Sequence, residues 1–400
     1  MQAWVNGTNR SFADAIGTYC ELIEIMSDNY FNNYSQSSKV FDFPTILYTD
    51  ADVTNMQRYI GNLRESADYG IEKVAAADAK TTKEELFNLY YIKAYSFILA
   101  GEYFRALPME DKGEVIEWKK QLEEAIDVLD QSLDYTDNDD DKAFINTLKA
   151  RAYYRLGDKE NATICAQNSL NLSPTYYRQV QFDGVNSVTN SIQQAVWGTW
   201  FQPLPRLDFL DPKYFKISAT EERPINIAKA EENYLILAEA LLADNKLSEA
   251  KNILKELLVL VQGRPVQTGL DDSLEGRYNG GYKHYPNSSE YKVAASSEDE
   301  FRAGLVLDRQ NLIDVPYISG TSVTADMIEG AGSIDECLEL VYLMRQEIFF
   351  AEGRRVADLG IRLPVCEVEM ANTESARNYK DAIIPVSYTH LRAHETGAYL

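Results

Sequence analysis

The sequence predicts a mainly α protein: a superhelix of stacked helix pairs with an irregular, loop-rich face and a few short strands. Three observations predict it. Apolar residues recur at three- and four-residue steps over long stretches, the period of a helix with one buried face. Two of those stretches repeat one helix–turn–helix design. Between them lie long segments rich in Gly, Pro, Ser and Tyr that follow no period.

In chain order, "TKEELFNLYYIKAYSFILAGEYFRALP" places Leu86, Leu89, Tyr90, Ala94, Phe97 and Ile98 on one helical face. Thr82 and Glu85 have the spacing of a capping box at its start. "EWKKQLEEAIDVLDQSLDY" follows, with Leu122, Ile126, Leu129 and Leu133 in one stripe. The run "DNDDDKAF" resembles the opening of a calcium loop through Asp137, Asp139, Asp140 and Asp141. It lacks the glycine at the sixth position, and Leu148 stands where a bidentate Glu belongs. It reads instead as an acidic turn capping a helix that begins near Lys142.

"AYYRLGDKENATICAQNSLNLSP" has Tyr153, Gly157, Ala162, Leu170, Leu172 and Pro174 at the aromatic, turn, contact and terminating places of a tetratricopeptide repeat. "AEALLADNKLSEAKNILKELL" repeats the design, with Ala238 and Ala250 small and Asn245 in the turn. "AYSFILAGEYFRA", with Ala94, Gly101 and Ala106, looks like a third and less complete copy. Small residues let paired helices approach, and stacked pairs share a continuous core. The helical scaffold is expected over about 60–174, 226–262 and 333–361 of one domain spanning 1–386. Loop-rich inserts are expected at about 175–225 and 263–325. The first holds "QQAVWGTWFQPLPRLDFLDP", where "QAVWGTWF" looks like a strand before Pro203, Pro205 and Pro212 break regularity.

At 400 residues and 45% hydrophobic, the chain can bury a full core. Its net charge of -23 argues against a nucleic-acid partner, since phosphates would be repelled over most of the surface. Cys20, Cys165, Cys337 and Cys366 lie far apart and read as small buried hydrophobes rather than metal ligands or a disulfide framework. No apolar run is long enough to span a membrane as a helix. The start has no signal-peptide pattern, so either the protein is cytoplasmic or its true N-terminus lies upstream. The end, "SYTHLRAHETGAYL" (387–400), resembles a translated sequencing-adapter read-through and is read as a non-native tail. His390 and His394 in it have a metal-ligand spacing, which is then an accident.

The question of function turns on "MRQEIFFAEGRRVADLG", Met344 to Gly360, taken as a single helical stretch. Glu347 and Glu352 lie about 140° apart on a helical wheel and cannot jointly flank one substrate bond. Glu352 with Arg355, and Arg354 with Asp358, have the spacings of intrahelical ion pairs. With Arg345 these residues read as a structural clamp. Outside the tail, His284 is the only histidine, and it has no orienting acid nearby. No phosphate-loop, dinucleotide or nucleophile-elbow motif occurs, and no metal or cofactor is implied. A glycosidase using only carboxylates stays open, although nothing singles out a pair. What remains are aromatics outside the helical stripes, whose flat faces suit sugar rings. Trp197 reads as core, because it follows an apolar strand, and Trp200 as its opposite-facing, ligand-exposed neighbour beside Phe201. Tyr278, Tyr282, Tyr285 and Tyr291 form the second aromatic group.

Taken together, these stretches resemble the SusD/RagB family of Bacteroidota cell-surface lipoproteins. "YYIKAYSFILAGEYFRALPMEDKG" is similar to the family's early helix, and "NYLILAEALLADNKLSEAKNILKEL" to its later helix pair. "MRQEIFFAEGRRVADLGIR" resembles its late "R-x-E-x-x-x-EG-x-R-x-x-DL-x-R" helix, and "DAIIP" its close. The resemblance implies a SusD-like superhelix that binds oligosaccharide on its loop-rich face without catalysis. It implies a lipid anchor on the outer membrane and a SusC-like, TonB-dependent transporter as partner. No lipobox cysteine is present, since Cys20 follows "IGTY". Three rivals remain: a peptide-capturing RagB-type relative, a tetratricopeptide adaptor and the glycosidase.

Overall fold

The computed structural model describes residues 1–32, 46–197, 201–215, 220–274, 285–295 and 299–385. The chain opens with α1 (Gln2–Met26), β1 (Tyr30–Asn32) and α2 (Ala51–Tyr69), which passes through a π-turn, Gly70–Val74, into the single turn α3 (Ala75–Ala77). Next come α4 (Lys83–Tyr103), the hairpin of β2 (Ala106–Pro108) and β3 (Val115–Glu117), and α5 (Trp118–Ser132). They are followed by α6 (Asp139–Leu156), α7 (Lys159–Leu172), β4 (Tyr177–Val180), α8 (Ser191–Trp197) and β5 (Phe201–Pro203). Beyond a 3-10 segment, Pro205–Tyr214, stand β6 (Ile225–Lys229), α9 (Glu231–Ala243), α10 (Leu247–Gln262), β7 (Val266–Asp271) and β8 (Leu312–Pro316). The last elements are α11 (Ala325–Gly330), α12 (Ile334–Ile348), α13 (Arg355–Asp358) and α14 (Glu367–Asn372). The strands form four separate antiparallel pairs, β1 with β5, β2 with β3, β4 with β6 and β7 with β8. The fold is thus mainly helical with a few short strands.

Local chemistry sets the helix ends. At the start of α4, Glu85 N donates to Thr82 Oγ1 at 3.2 Å while Thr82 N donates to Glu85 Oε2 at 2.8 Å, the reciprocal capping box. α6 begins at Asp139, three residues earlier than expected, because Asn138 accepts from Asp141 N at 3.0 Å. Its first turn carries Asp139, Asp140 and Asp141 at the positive end of the helix dipole. Gly157, at φ 79°, makes the left-handed turn between α6 and α7, and Asn245, at φ 60°, the turn between α9 and α10.

Helices α6 and α7, and α9 and α10, pack as the two expected pairs. The third copy differs. Gly101 is not a turn but lies inside α4, where a Cβ would come within 2.5 Å of Leu122 Cγ of α5. Ala106 sits in β2, so the pair is α4 with α5, joined across the β2–β3 hairpin. Glycine is required there because the two helices touch.

Two further expectations are corrected. The scaffold does not begin near residue 60: α1 buries Phe12, Ala13, Ile16, Tyr19, Cys20 and Ile23 against α2, α4 and α8. The first half of "QAVWGTWF" is not a strand. Asn190 Oδ1 accepts from Gln193 N at 3.1 Å and starts a helix that runs to Trp197, and among the described residues of the stretch Phe201 alone is extended, in β5. A short apolar run can take either form, and the cap decides it. The main core joins α1, α2 and α4 to α9, and a second apolar cluster lies between α9, α10, α11 and α12. All four cysteines are free and buried. Among the described residues no helix is long and apolar enough to cross a membrane.

Candidate functional site

The segment singled out in the sequence is not one helix. α12 ends at Ile348, and the chain turns through Ala351 (φ 59°) and Gly353 (φ 68°) before α13. A Cβ on Gly353 would sit 3.2 Å from Cys20 Sγ and 3.3 Å from Cys20 Cα, so glycine also permits this turn to lie against α1.

The turn breaks the expected intrahelical pairs, Glu352 with Arg355 and Arg354 with Asp358, and each group instead finds partners on distant elements. Glu352 accepts from Lys229 Nζ at 2.8 Å, Asn226 Nδ2 at 2.8 Å and Lys213 Nζ at 3.1 Å. Glu347 accepts from Thr321 Oγ1 at 2.7 Å and from Ser322 N and Oγ, each at 2.6 Å. Arg354 donates to Glu232 at 2.6 Å and 3.3 Å, and Arg151 reaches the same carboxylate at 2.9 Å and 2.7 Å. Arg355 grips Asp28 with two bonds, at 2.6 Å and 2.7 Å. Asp358 lies between Arg155, at 2.7 Å, and Arg345 Nε, at 3.0 Å, the latter not aligned to donate. Tyr154 and Phe349 present their rings to the Arg345 guanidinium, with centroids at 4.9 Å and 5.7 Å.

Burial and charge act against each other here. Burial pushes the Glu232 carboxyl up, but Arg151 and Arg354 outweigh it and hold the group well below the usual carboxylate range. Burial likewise opposes ionisation of Asp358, and Arg345 with Arg155 brings it down to about 2. Lys229 is pushed down to about 8 by burial, against the pull of Glu352. Glu24 accepts from Gly353 N at 2.8 Å and Asn29 Nδ2 at 2.7 Å, yet burial pushes it up to about 7. Glu347 and Glu352 are 2% and 6% exposed, Glu347 with both oxygens bonded and Glu352 with three donors on Oε1, so both are committed to the interior of the fold. Sequence reasoning missed Glu232, Lys229, Arg151 and Asp28, the partners in this brace. A signal for one of them was available: "AEENYLILAEALL" places Glu232 just before the apolar run Tyr234 to Ala238.

The aromatic residues fare differently. Phe201 is corrected: it is 1% exposed, lies in β5 opposite β1, and its ring centroid is 6.0 Å from that of Tyr30. Tight packing between strands removes it from any ligand face. Trp197 ends α8, so no strand alternation relates it to Trp200. Tyr285 donates to Asp208 Oδ1 at 3.2 Å and lies under the Arg309 guanidinium, 5.5 Å from its ring centroid. Arg309 in turn grips Asp208 at 2.7 Å and 3.0 Å. Tyr291 is exposed. Trp200, Tyr278, Tyr282, His284, His390 and His394 lie outside the described residues.

A helical superhelix braced by buried ion pairs, with an irregular face beside it, is a scaffold for presenting loops. Solved structures share the fold. The fold is similar to that of a SusD superfamily protein of Bacteroides fragilis, with TM-score 0.59, 13% identity, and 93% of this chain and 97% of that one covered. It is similar to a SusD/RagB family protein of Bacteroides thetaiotaomicron, with TM-score 0.57, 13% identity and 97% of each chain covered. It is also similar to a SusD-like carbohydrate binding protein of Bacteroides vulgatus, with TM-score 0.56, 12% identity, and 90% of this chain and 82% of that one covered. No family model matches the sequence, and neither does any curated protein. The chain has the SusD-like fold.

Proposed function

We propose that the chain is a SusD/RagB-type binding protein that captures oligosaccharides at the cell surface without chemistry. It hands them to a SusC-like, TonB-dependent outer-membrane transporter and is itself held at the outer face of that membrane by a lipid anchor. The observation that carries this reading is the match of nearly the whole chain to SusD-like structures, one of them a carbohydrate binding protein. The buried brace supports its non-catalytic part, because Glu347 and Glu352 are spent on structure. Ring stacking on the loop-rich face falls to Tyr285, with Trp200, Tyr278 and Tyr282 as further contacts.

Titration calorimetry against a broad oligosaccharide panel tests it. Saturable binding of at least one glycan is expected, weakened tenfold or more in Tyr285→Ala. Binding of peptides and of no glycan would reassign the chain as a peptide-capturing relative. Turnover of a chromogenic glycoside would overturn the non-catalytic reading.

A further inference from the structure

Away from the loop-rich inserts, a cleft of about 610 Å³ runs along α2, walled by the β2–β3 turn and α14. Along α2 its lining is a polar stripe at helical spacing: Thr54, Arg58, Gly61, Glu65, Asp68 and Glu72. From Thr54 to Glu72 there are 18 steps (72 − 54), which at about 1.5 Å rise each make the stripe about 27 Å long. Three features mark the cleft as built for a ligand rather than left over from packing.

First, Gly61 lies in the middle of α2, is exposed, and has nothing within 4 Å of where a Cβ would stand. Glycine weakens a helix interior, and no packing contact here requires one. What it does provide is a bare strip of backbone at the cleft floor. Second, Tyr69 is 53% exposed and lines the cleft, while Trp4 backs its ring at a centroid distance of 4.9 Å. Trp4 is itself fixed by donating Nε1–H to Ser66 O at 2.9 Å, so the platform is rigid on one side and open on the other. Third, the backbone is irregular at both walls. The π-turn Gly70–Val74 follows Tyr69, and Gly70 is needed there, since a Cβ would come within 2.6 Å of Leu89 and 2.8 Å of Trp4. Across the cleft, Lys112 holds φ 57° in the β2–β3 turn. π-turns and left-handed non-glycine residues concentrate at functional sites.

The lining also defines the ligand class. Carboxylates outnumber cations in it, and the chain carries net charge -23, which disfavours polyanions. The α2 backbone is satisfied within its helix, and in β2 the Leu107 and Pro108 carbonyls already accept from Gln121 and Arg64, which disfavours pairing with an extended peptide. Exposed planar polar side chains such as Asn62 and Arg58, interleaved with an open ring, suit vicinal hydroxyls and a sugar face. We propose that this cleft is a second binding site, in which an uncharged, hydroxyl-rich oligosaccharide lies across Gly61 and stacks on Tyr69. The proposal rests on the reading of the chain as an oligosaccharide-binding protein.

Calorimetric titration of the full chain with neutral oligosaccharides, in the wild type, Gly61→Trp and Tyr69→Ala, tests it. Gly61→Trp places its Cβ in open space, turns its ring into the cleft and adds helix-forming character to α2, so its circular dichroism is expected to match the wild type, which is checked before titration. Both variants are expected to lose tenfold or more in affinity for one class of sites, with Tyr285→Ala affecting the other. Unchanged titrations in Gly61→Trp, with the wild type binding normally, would overturn the cleft proposal and leave the proposed function standing. A wild type that binds no oligosaccharide would overturn both. Peptide binding that Gly61→Trp abolishes would overturn the ligand class.

Discussion

The turn between α12 and α13 and the outer stripe of α2 are both rich in charged side chains, and they use them in opposite ways. Around the turn, carboxylates and cations come from the segment after α1, from α6, β6 and α9 and from the 3-10 segment, and meet one another out of water. Along α2, Arg58 and Glu65 stand in solvent, and Arg58 reaches only as far as Asn55, at 3.0 Å. The difference teaches how to separate structural charge from charge available to a ligand. A buried pair orients the elements it joins and is costly to break, whereas an exposed group has little tied to its neighbours.

Breaking the brace should have the largest effect. Glu232→Ala leaves Arg151 and Arg354 buried without the carboxylate both grip, with Glu102 standing 3.9 Å from Arg354. Removal of one partner from a buried charge pair costs about 3–5 kcal/mol. Urea denaturation should show that loss, against under about 0.5 kcal/mol for Glu65→Ala on α2. Equal losses in the two variants would erase the distinction between the regions.

Acid titration comes next, and its sign follows from the direction of the shift. Asp358 titrates near 2 when folded, below its ordinary 3.8, so the unfolded chain binds the proton more readily. The stability this gives is present above pH ~4 and is lost as pH falls through ~2, about 2 kcal/mol in all. Glu24 works the other way: its folded value is about 7 against 4.5, so its contribution is lost as pH rises between them. Asp358→Asn should flatten the acid limb, and Glu24→Gln the slope from about pH 4.5 to 7. Denaturation midpoints across pH check both.

What could be read from the sequence was what is local. The capping box of Thr82 and Glu85, the Gly157 turn and the two helix pairs depend on residues a few positions apart, and they stand where expected. The brace residues were recognisable but their partners were not, because Arg355 meets Asp28 across 327 positions and Glu352 meets Lys229 across 123. The wrong pairs came from extending α12 through a turn that Ala351 and Gly353 make in left-handed conformation. Phe201 was grouped with Trp200 as a ligand contact by proximity alone, in a segment whose first part is helical. The α2 cleft was invisible because its platform needs Trp4 to meet Tyr69 across α1 and α2.

The smallest effect sharpens the comparison most. Gly61 and Gly101 are both inside helices, in α2 and α4, and alanine is the better helix former at either place. At Gly101 the new methyl would enter the space of Leu122, 2.5 Å away, and overpacking of this kind costs about 1–3 kcal/mol. At Gly61 the methyl meets nothing, so only propensity counts and Gly61→Ala should gain about 0.5–1 kcal/mol. A gain there would show that Gly61 contributes nothing to packing. Thermal melts of the two variants should therefore shift in opposite directions. A loss in Gly61→Ala would mean that the strip of backbone along α2 is a packing feature, and the contrast between the two regions would narrow accordingly.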